Sequence, residues 1–180
     1  MVLHQVFPGG HPCTTEPRHR LDPKHTMGYF FSFKKEAMKE HIEQLKKKIE
    51  NELYLKKLGI RLRELDEGFA SFEMVMEKDL ENVHGGIHGG AIFSLIDAAF
   101  EASSNSHGVP AVALSMNIIF HKAPNFGDRL IATSREINRT RRLASYLIEA
   151  KDSEGRLIAT CQAVVYRKKV ESSHRPEGSS

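Results

Sequence analysis

The sequence predicts an α+β domain in which one helix is buried against a mostly antiparallel sheet. Three observations predict it. Ala91, Ile92, Phe93, Leu95, Ile96, Ala98, Ala99 and Phe100 make one helix apolar on nearly every side, and such a helix has to be wrapped. Two strand-like segments precede it and four follow it. Turns such as Asp66-Glu67-Gly68 and Asp152-Ser-Glu-Gly155 join neighbouring strands at hairpin spacing.

Residues 1–26 are rich in His, Pro, Arg and Thr and carry no apolar period, so they read as a disordered tail. Residues 27–57 form a helical extension. From about Lys34 to Lys57, Met38, Ile42, Leu45, Ile49 and Leu53 fall on one stripe, with Glu40, Glu43 and Lys46 to Lys48 opposite, and Gly59 is a natural stop. This is an amphipathic helix docked on the domain, or else a regulatory or oligomerising arm. The main domain covers 58–170. It opens with strands at Ile60–Leu65 and Phe69–Met76, the second alternating Ala70, Phe72, Met74 and Met76 inward with Ser71, Glu73 and Val75 outward. The central helix runs from about Gly90 to Ser104. Strands at Ala111–His121, Arg129–Asn138, Ala144–Lys151 and Leu157–Arg167 complete the sheet, and 171–180 form a second disordered tail.

With 180 residues and 40% apolar content the chain has room for one domain with a real core and appendages. A net charge of +3 argues for neither nucleic acid nor membrane as a partner. No apolar run approaches membrane-spanning length, and Pro8-Gly9-Gly10 interrupts the N-terminus before a signal-peptide core forms. Cys13 and Cys161 supply no disulfide framework, which makes a reducing cytoplasm the simplest compartment.

The stretch that carries chemistry is Asn82-Val-His-Gly-Gly-Ile-His88-Gly89-Gly90, running into Ala91-Ile-Phe-Ser-Leu-Ile-Asp97. Glycines let backbone N–H groups approach a ligand, and a helix start leaves those donors unsatisfied beside a partial positive charge. Such a corner suits an oxygen that becomes negative during reaction. Asp97 is the first carboxylate on the apolar helix, and burying it without purpose is costly. Gly89 precedes it by eight residues, roughly 12 Å at about 1.5 Å per residue. One chain does not easily place both on one carbonyl; two helices meeting antiparallel across a twofold axis do. Asn82 can donate an amide hydrogen bond to a carbonyl, hold a water, or bond its own backbone. His84 and His88 are four apart, but Gly85-Gly86 between them argues for a loop rather than a metal-binding helix, and no metal is expected.

These residues resemble the hotdog-fold acyl-CoA thioesterases, in particular the phenylacetic-acid-degradation-type branch. The family pattern is Asn, five residues, His-Gly-Gly, then Leu-x-Asp-x-Ala. Asn82, His88-Gly89-Gly90 and Leu95-Ile96-Asp97-Ala98-Ala99 match it in register, as do Phe100 to Gly108, Met116 to Pro124 and Gly127-Asp128. The resemblance covers roughly residues 58–168. It implies a hotdog fold, a sheet curled around a central helix, and hydrolysis of acyl-CoA thioesters at a site shared between subunits of a homodimer or homotetramer. It implies Asp97 as nucleophile or general base, a Gly89 or Gly90 N–H as oxyanion donor, an assisting Asn82, and a His88 that braces the loop. No cofactor is implied, coenzyme A being part of the substrate. Phe93, Phe100 and Met116 would line an acyl pocket, with Glu101, one turn beyond Asp97, modifying it. Ser115 lies near the position where relatives in the branch orient a water. Arg139, Arg141 and Arg142, near strand ends with Lys122, Lys168 and Lys169, suit the phosphates of coenzyme A. A non-catalytic acyl-CoA-binding or sensing module on the same fold, and a hotdog dehydratase or hydratase, are the alternative readings.

Overall fold

In a computed structural model the backbone is described for residues 23–168 and side chains from residue 32 onward. The tails expected at 1–26 and 171–180 lie outside or at the margin of the described residues. Contacts divide the chain after Lys34, and the unit beginning at Lys35 holds every strand. The C-terminal half of the helical extension therefore belongs to the same unit as the sheet.

The extension is two helices, α1 (Pro23–Asn51) and α2 (Leu53–Leu58), where the periodicity predicts one. Glu52 between them is extended, with φ −68° and ψ 119°. The Asn51 amide donates to the Lys47 carbonyl at 2.8 Å, local side-chain competition of the kind that ends helices. Ile42 and Ile49 are buried as expected, but the break turns Leu53 out of the stripe. Leu53 is 80% exposed, and Leu55, at 5%, takes its place in the core. Gly59 closes α2 at φ 68°, and its N–H bonds back to the last turn.

Strands β1 (Arg61–Asp66) and β2 (Phe69–Val75) follow, then a single 3-10 turn at Lys78–Leu80 and α3 (Gly89–Asn105). The chain ends in β3 (Ala111–Phe120), β4 (Arg129–Arg139), β5 (Leu143–Lys151) and β6 (Leu157–Arg167). All six strands form one antiparallel sheet in the order β1-β2-β4-β5-β6-β3. The strand after the helix thus crosses to the far edge, leaving room for α3 across the sheet.

Helix α3 touches every strand. Six strands laid flat would span about 24 Å at about 4.8 Å per gap, wider than a helix of about 10 Å diameter can reach. The sheet therefore curls around α3. Leu95, Ile96, Ala99 and Phe100 meet the inward residues Phe72, Met74, Leu130, Ile148 and Val165 in one core. Phe100 is 1% exposed, with its ring edge-on to Tyr146 at 5.5 Å between centroids. It is a core residue facing the sheet. Glu101, the next residue, lies about 100° further round the helix, at about 3.6 residues per turn.

A polar clasp holds the C-terminal end of α3. His107 lies with Nε2 2.6 Å from Glu136 Oε2 and Nδ1 3.1 Å from Glu67 Oε1, while Arg139 Nη1 donates to Nδ1 at 3.0 Å. Tyr146 also donates to Glu136, at 2.8 Å. Burial works to raise the Glu136 pKa, but the hydrogen bonds from Tyr146 and His107 prevail and hold it below the usual range. Ser106 accepts from Gly68 N–H at 2.7 Å, tying the β1–β2 turn to the same place.

Candidate active site

The loop between β2 and α3 is stapled by Asn82. Its side-chain oxygen accepts from the N–H groups of His84 at 2.8 Å and Gly86 at 3.2 Å, and its amide donates to the Ile87 carbonyl at 3.1 Å. Of the uses open to Asn82, the structure displays the local one. Both acceptor sites and one amide hydrogen are spent on the loop, and one amide hydrogen remains for a ligand.

That loop delivers His88 to the helix start as N-cap. Its Nδ1 accepts from Gly90 N–H at 2.9 Å. A Cβ on residue 90 would come within 2.9 Å of the same nitrogen, so Gly90 is glycine because the capping ring lies against it. The cap leaves the two candidate donors in different states. Gly90 N–H is occupied, and Ala91 N–H bonds the His88 carbonyl at 3.0 Å. Gly89 N–H, first of the helix, meets no acceptor among the described residues. The Phe120 ring lies where a Cβ on Gly89 would contact it at 3.4 Å, so the tip of β3 packs close to the helix start.

About two turns on, Asp97 is half-buried and accepts no hydrogen bond from any described residue. Burial raises its pKa above the usual carboxylate range. The pairing or capping role that would make Asp97 merely structural is thus absent among the described residues. Two further carboxylates share its surroundings. Glu101 is pushed up by burial and then by the charges of Glu52 and Asp97. Glu52, in the break between α1 and α2, is pushed up by burial and then by Asp97. Glu52 is a residue of this candidate site that sequence reading misses. Its helix break has no strong local signal, and the face of α3 that it meets lies some 40 residues further along the chain. Tyr54 is anchored on that same face, its hydroxyl 2.8 Å from Ser94 Oγ.

The other expected residues divide. Phe93 is half-buried beside Asp97 on α3. Met116 is half-buried on β3, and Ser115 is exposed immediately after a register shift in the β3–β6 pairing between Ala113 and Ser115. That bulge is why strand alternation alone did not place Ser115. The three arginines are not equivalent. Arg139 is bound into the clasp, its Nε 3.1 Å from Glu136 Oε1. Arg142 bonds the Tyr166 hydroxyl and lies over that ring. Arg141 is exposed.

The fold has counterparts among known proteins. The family model described as the thioesterase superfamily matches residues 84–159. A candidate esterase from Archaeoglobus fulgidus is 40% identical over 134 residues, 74% of this chain and 86% of the relative. The chain belongs to the thioesterase superfamily. The acyl-coenzyme A thioesterase PaaI of Escherichia coli is 35% identical over 118 residues, covering 66% of this chain and 84% of that one. The solved structure of the E. coli PaaI protein from the phenylacetic acid degradation operon superposes with a TM-score of 0.69, over 72% of this chain and 95% of that one. The curled sheet around α3 is accordingly the hotdog fold, and membership makes the chain a thioester hydrolase.

Proposed function

We propose that this thioesterase hydrolyses acyl-CoA thioesters to the free acid and coenzyme A, at a site built from two subunits. The observation that carries the reading is Asp97: an unpaired, half-buried carboxylate with a raised pKa on an apolar helix whose first N–H is also unpaired. A carboxylate in this setting deprotonates water or attacks the carbonyl itself, and both routes lead to the same products. In the first, water oxygen bonds to the thioester carbon as its proton passes to Asp97; the C–S bond then breaks, and the coenzyme A thiolate leaves and takes up that proton. In the second, Asp97 bonds to that carbon, the thiolate leaves, and water hydrolyses the anhydride. In either case Gly89 N–H polarises the carbonyl oxygen as it gains charge, and the stapled Asn82 loop holds that N–H in place.

Asp97 and Gly89 of one chain are too far apart to share a carbonyl. We therefore assign Asp97 of one subunit to the glycine corner of another. Strand β3 supports that assembly. It is an edge strand, and Val112, Leu114, Ile119 and Phe120 on it are exposed. Unpaired apolar edges invite pairing with a second chain. A homodimer joined there, or a homotetramer of such dimers, covers them. Of the arginines, Arg141 is the one free to meet coenzyme A phosphates.

Thiol release from a panel of acyl-CoAs tests the reading. Turnover of at least one member, abolished in Asp97→Asn, is the expected result. Tight acyl-CoA binding with no thiol release from any member would replace hydrolysis by sensing.

A further inference from the structure

A cavity of about 490 Å³ lies between the helical extension and α3, within the size range of small-molecule sites. Its floor is the face of α3 carrying Ala98 and Ala102, one turn apart, and its roof is Leu45, Ile49 and Leu55 of the extension. The cleft is open to solvent along Leu45, which is only half-buried, while Ile49, Leu55, Ala98 and Ala102 are buried beneath it. Phe72 closes the inner end.

The cavity is adjacent to the proposed chemistry. Ala98 follows Asp97 directly, and Glu101, one turn beyond, lines the cavity together with Glu52. Charged or titratable groups also reach it from the other elements: His41 and Lys48 from α1. Lys48 is exposed, whereas His41 Nε2 is engaged with the Asn105 carbonyl at 2.9 Å. One wall of the cavity thus carries half-buried Glu52 and exposed Glu101, with Asp97 nearby, three carboxylates that already repel one another.

Building on the acyl-CoA reading above, we propose that this cavity receives the acyl tail, that the helical extension forms one wall of the specificity pocket, and that Glu52 with Glu101 selects an uncharged tail over one ending in a carboxylate. An aliphatic or aryl tail gains burial against Leu45, Ile49 and Leu55. A terminal carboxylate would bring a further negative charge to the acidic wall and lose its water.

Calorimetry with two thioethers that resist hydrolysis, S-hexyl-CoA and S-(5-carboxypentyl)-CoA, tests this on the full chain. Wild type binds the hexyl compound at least tenfold more tightly. Glu52→Gln narrows the gap severalfold, and Glu52→Lys narrows it further. Ala102→Leu, filling the cavity from α3, weakens the hexyl compound toward the affinity of coenzyme A alone. Leu45→Trp fills it from the more exposed α1 side and does the same if Ala102→Leu does not fold. An equal preference in wild type and both Glu52 variants, or hexyl affinity unmoved by either filling variant, overturns the proposal. Hexanoyl-CoA in the thiol-release assay separates the two claims. Release with unchanged discrimination removes the pocket and leaves hydrolysis. Discrimination as expected without release removes hydrolysis and leaves the pocket.

Discussion

Asp97 is a residue whose stability cost and chemical use have the same origin. Burial without a hydrogen-bond partner raises its pKa, so the folded chain favours the protonated form more than the unfolded chain does. The stability associated with protonation is fully present below the unfolded value, about 3.9 for Asp, and is lost as pH rises through the higher folded value. Once ionised, the group therefore destabilises the fold. Asp97→Asn is expected to melt at a higher temperature than wild type at pH 7, with the difference shrinking as pH falls through the folded pKa, while activity is lost. A variant no more stable at pH 7, or an advantage that grows on acidification, would contradict the burial argument. Asp97, the glycines and His88 were legible in the sequence because a helix start encodes its chemistry within a few adjacent residues. That Gly90 N–H is bonded and Gly89 N–H is not was not legible, since it depends on which nitrogen of His88 faces the helix. Glu52 and the His107–Glu136 pair were hidden for another reason: each is made by elements far apart in the chain.

At the scale of elements, strands were more legible than helices. Alternation placed β2 and its inward Ala70, Phe72 and Met74, and the glycine turns separated neighbours correctly. The helical extension was misread because a stripe at steps of three and four continues smoothly to Leu53 across a break that period alone does not register. The break has a measurable signature. Leu55→Ala is expected to destabilise by about 2–5 kcal/mol, the usual cost of a large-to-small change in a core. Leu53→Ala, on an exposed side chain, should stay within about 0.5 kcal/mol. Denaturant midpoints of the two variants decide it. A larger loss from Leu53→Ala would restore the single continuous helix. Helix α3 shows the same limitation: a helix apolar all round does not say which face meets the sheet and which faces a cavity.

At the scale of the whole molecule, the proposed edge-to-edge assembly rests on the exposed apolar edge of β3 and the separation of Asp97 from Gly89. Leu114→Asp, placing a charge on that edge, is expected to dissociate the assembly and reduce activity together. Sedimentation velocity beside thiol release checks both, and a monomer that keeps full activity would break the link between them. The most direct test of the composite site mixes Asp97→Ala subunits, which lack the attacking carboxylate, with Asn82→Ala subunits, whose loop no longer holds the oxyanion donor. After reversible dissociation and exchange, each mixed dimer carries one intact site and one doubly damaged site, so activity should recover to about half of wild type per mixed dimer. No recovery, with exchange demonstrated, would place Asp97 and the glycine corner of each site within one chain and contradict the account.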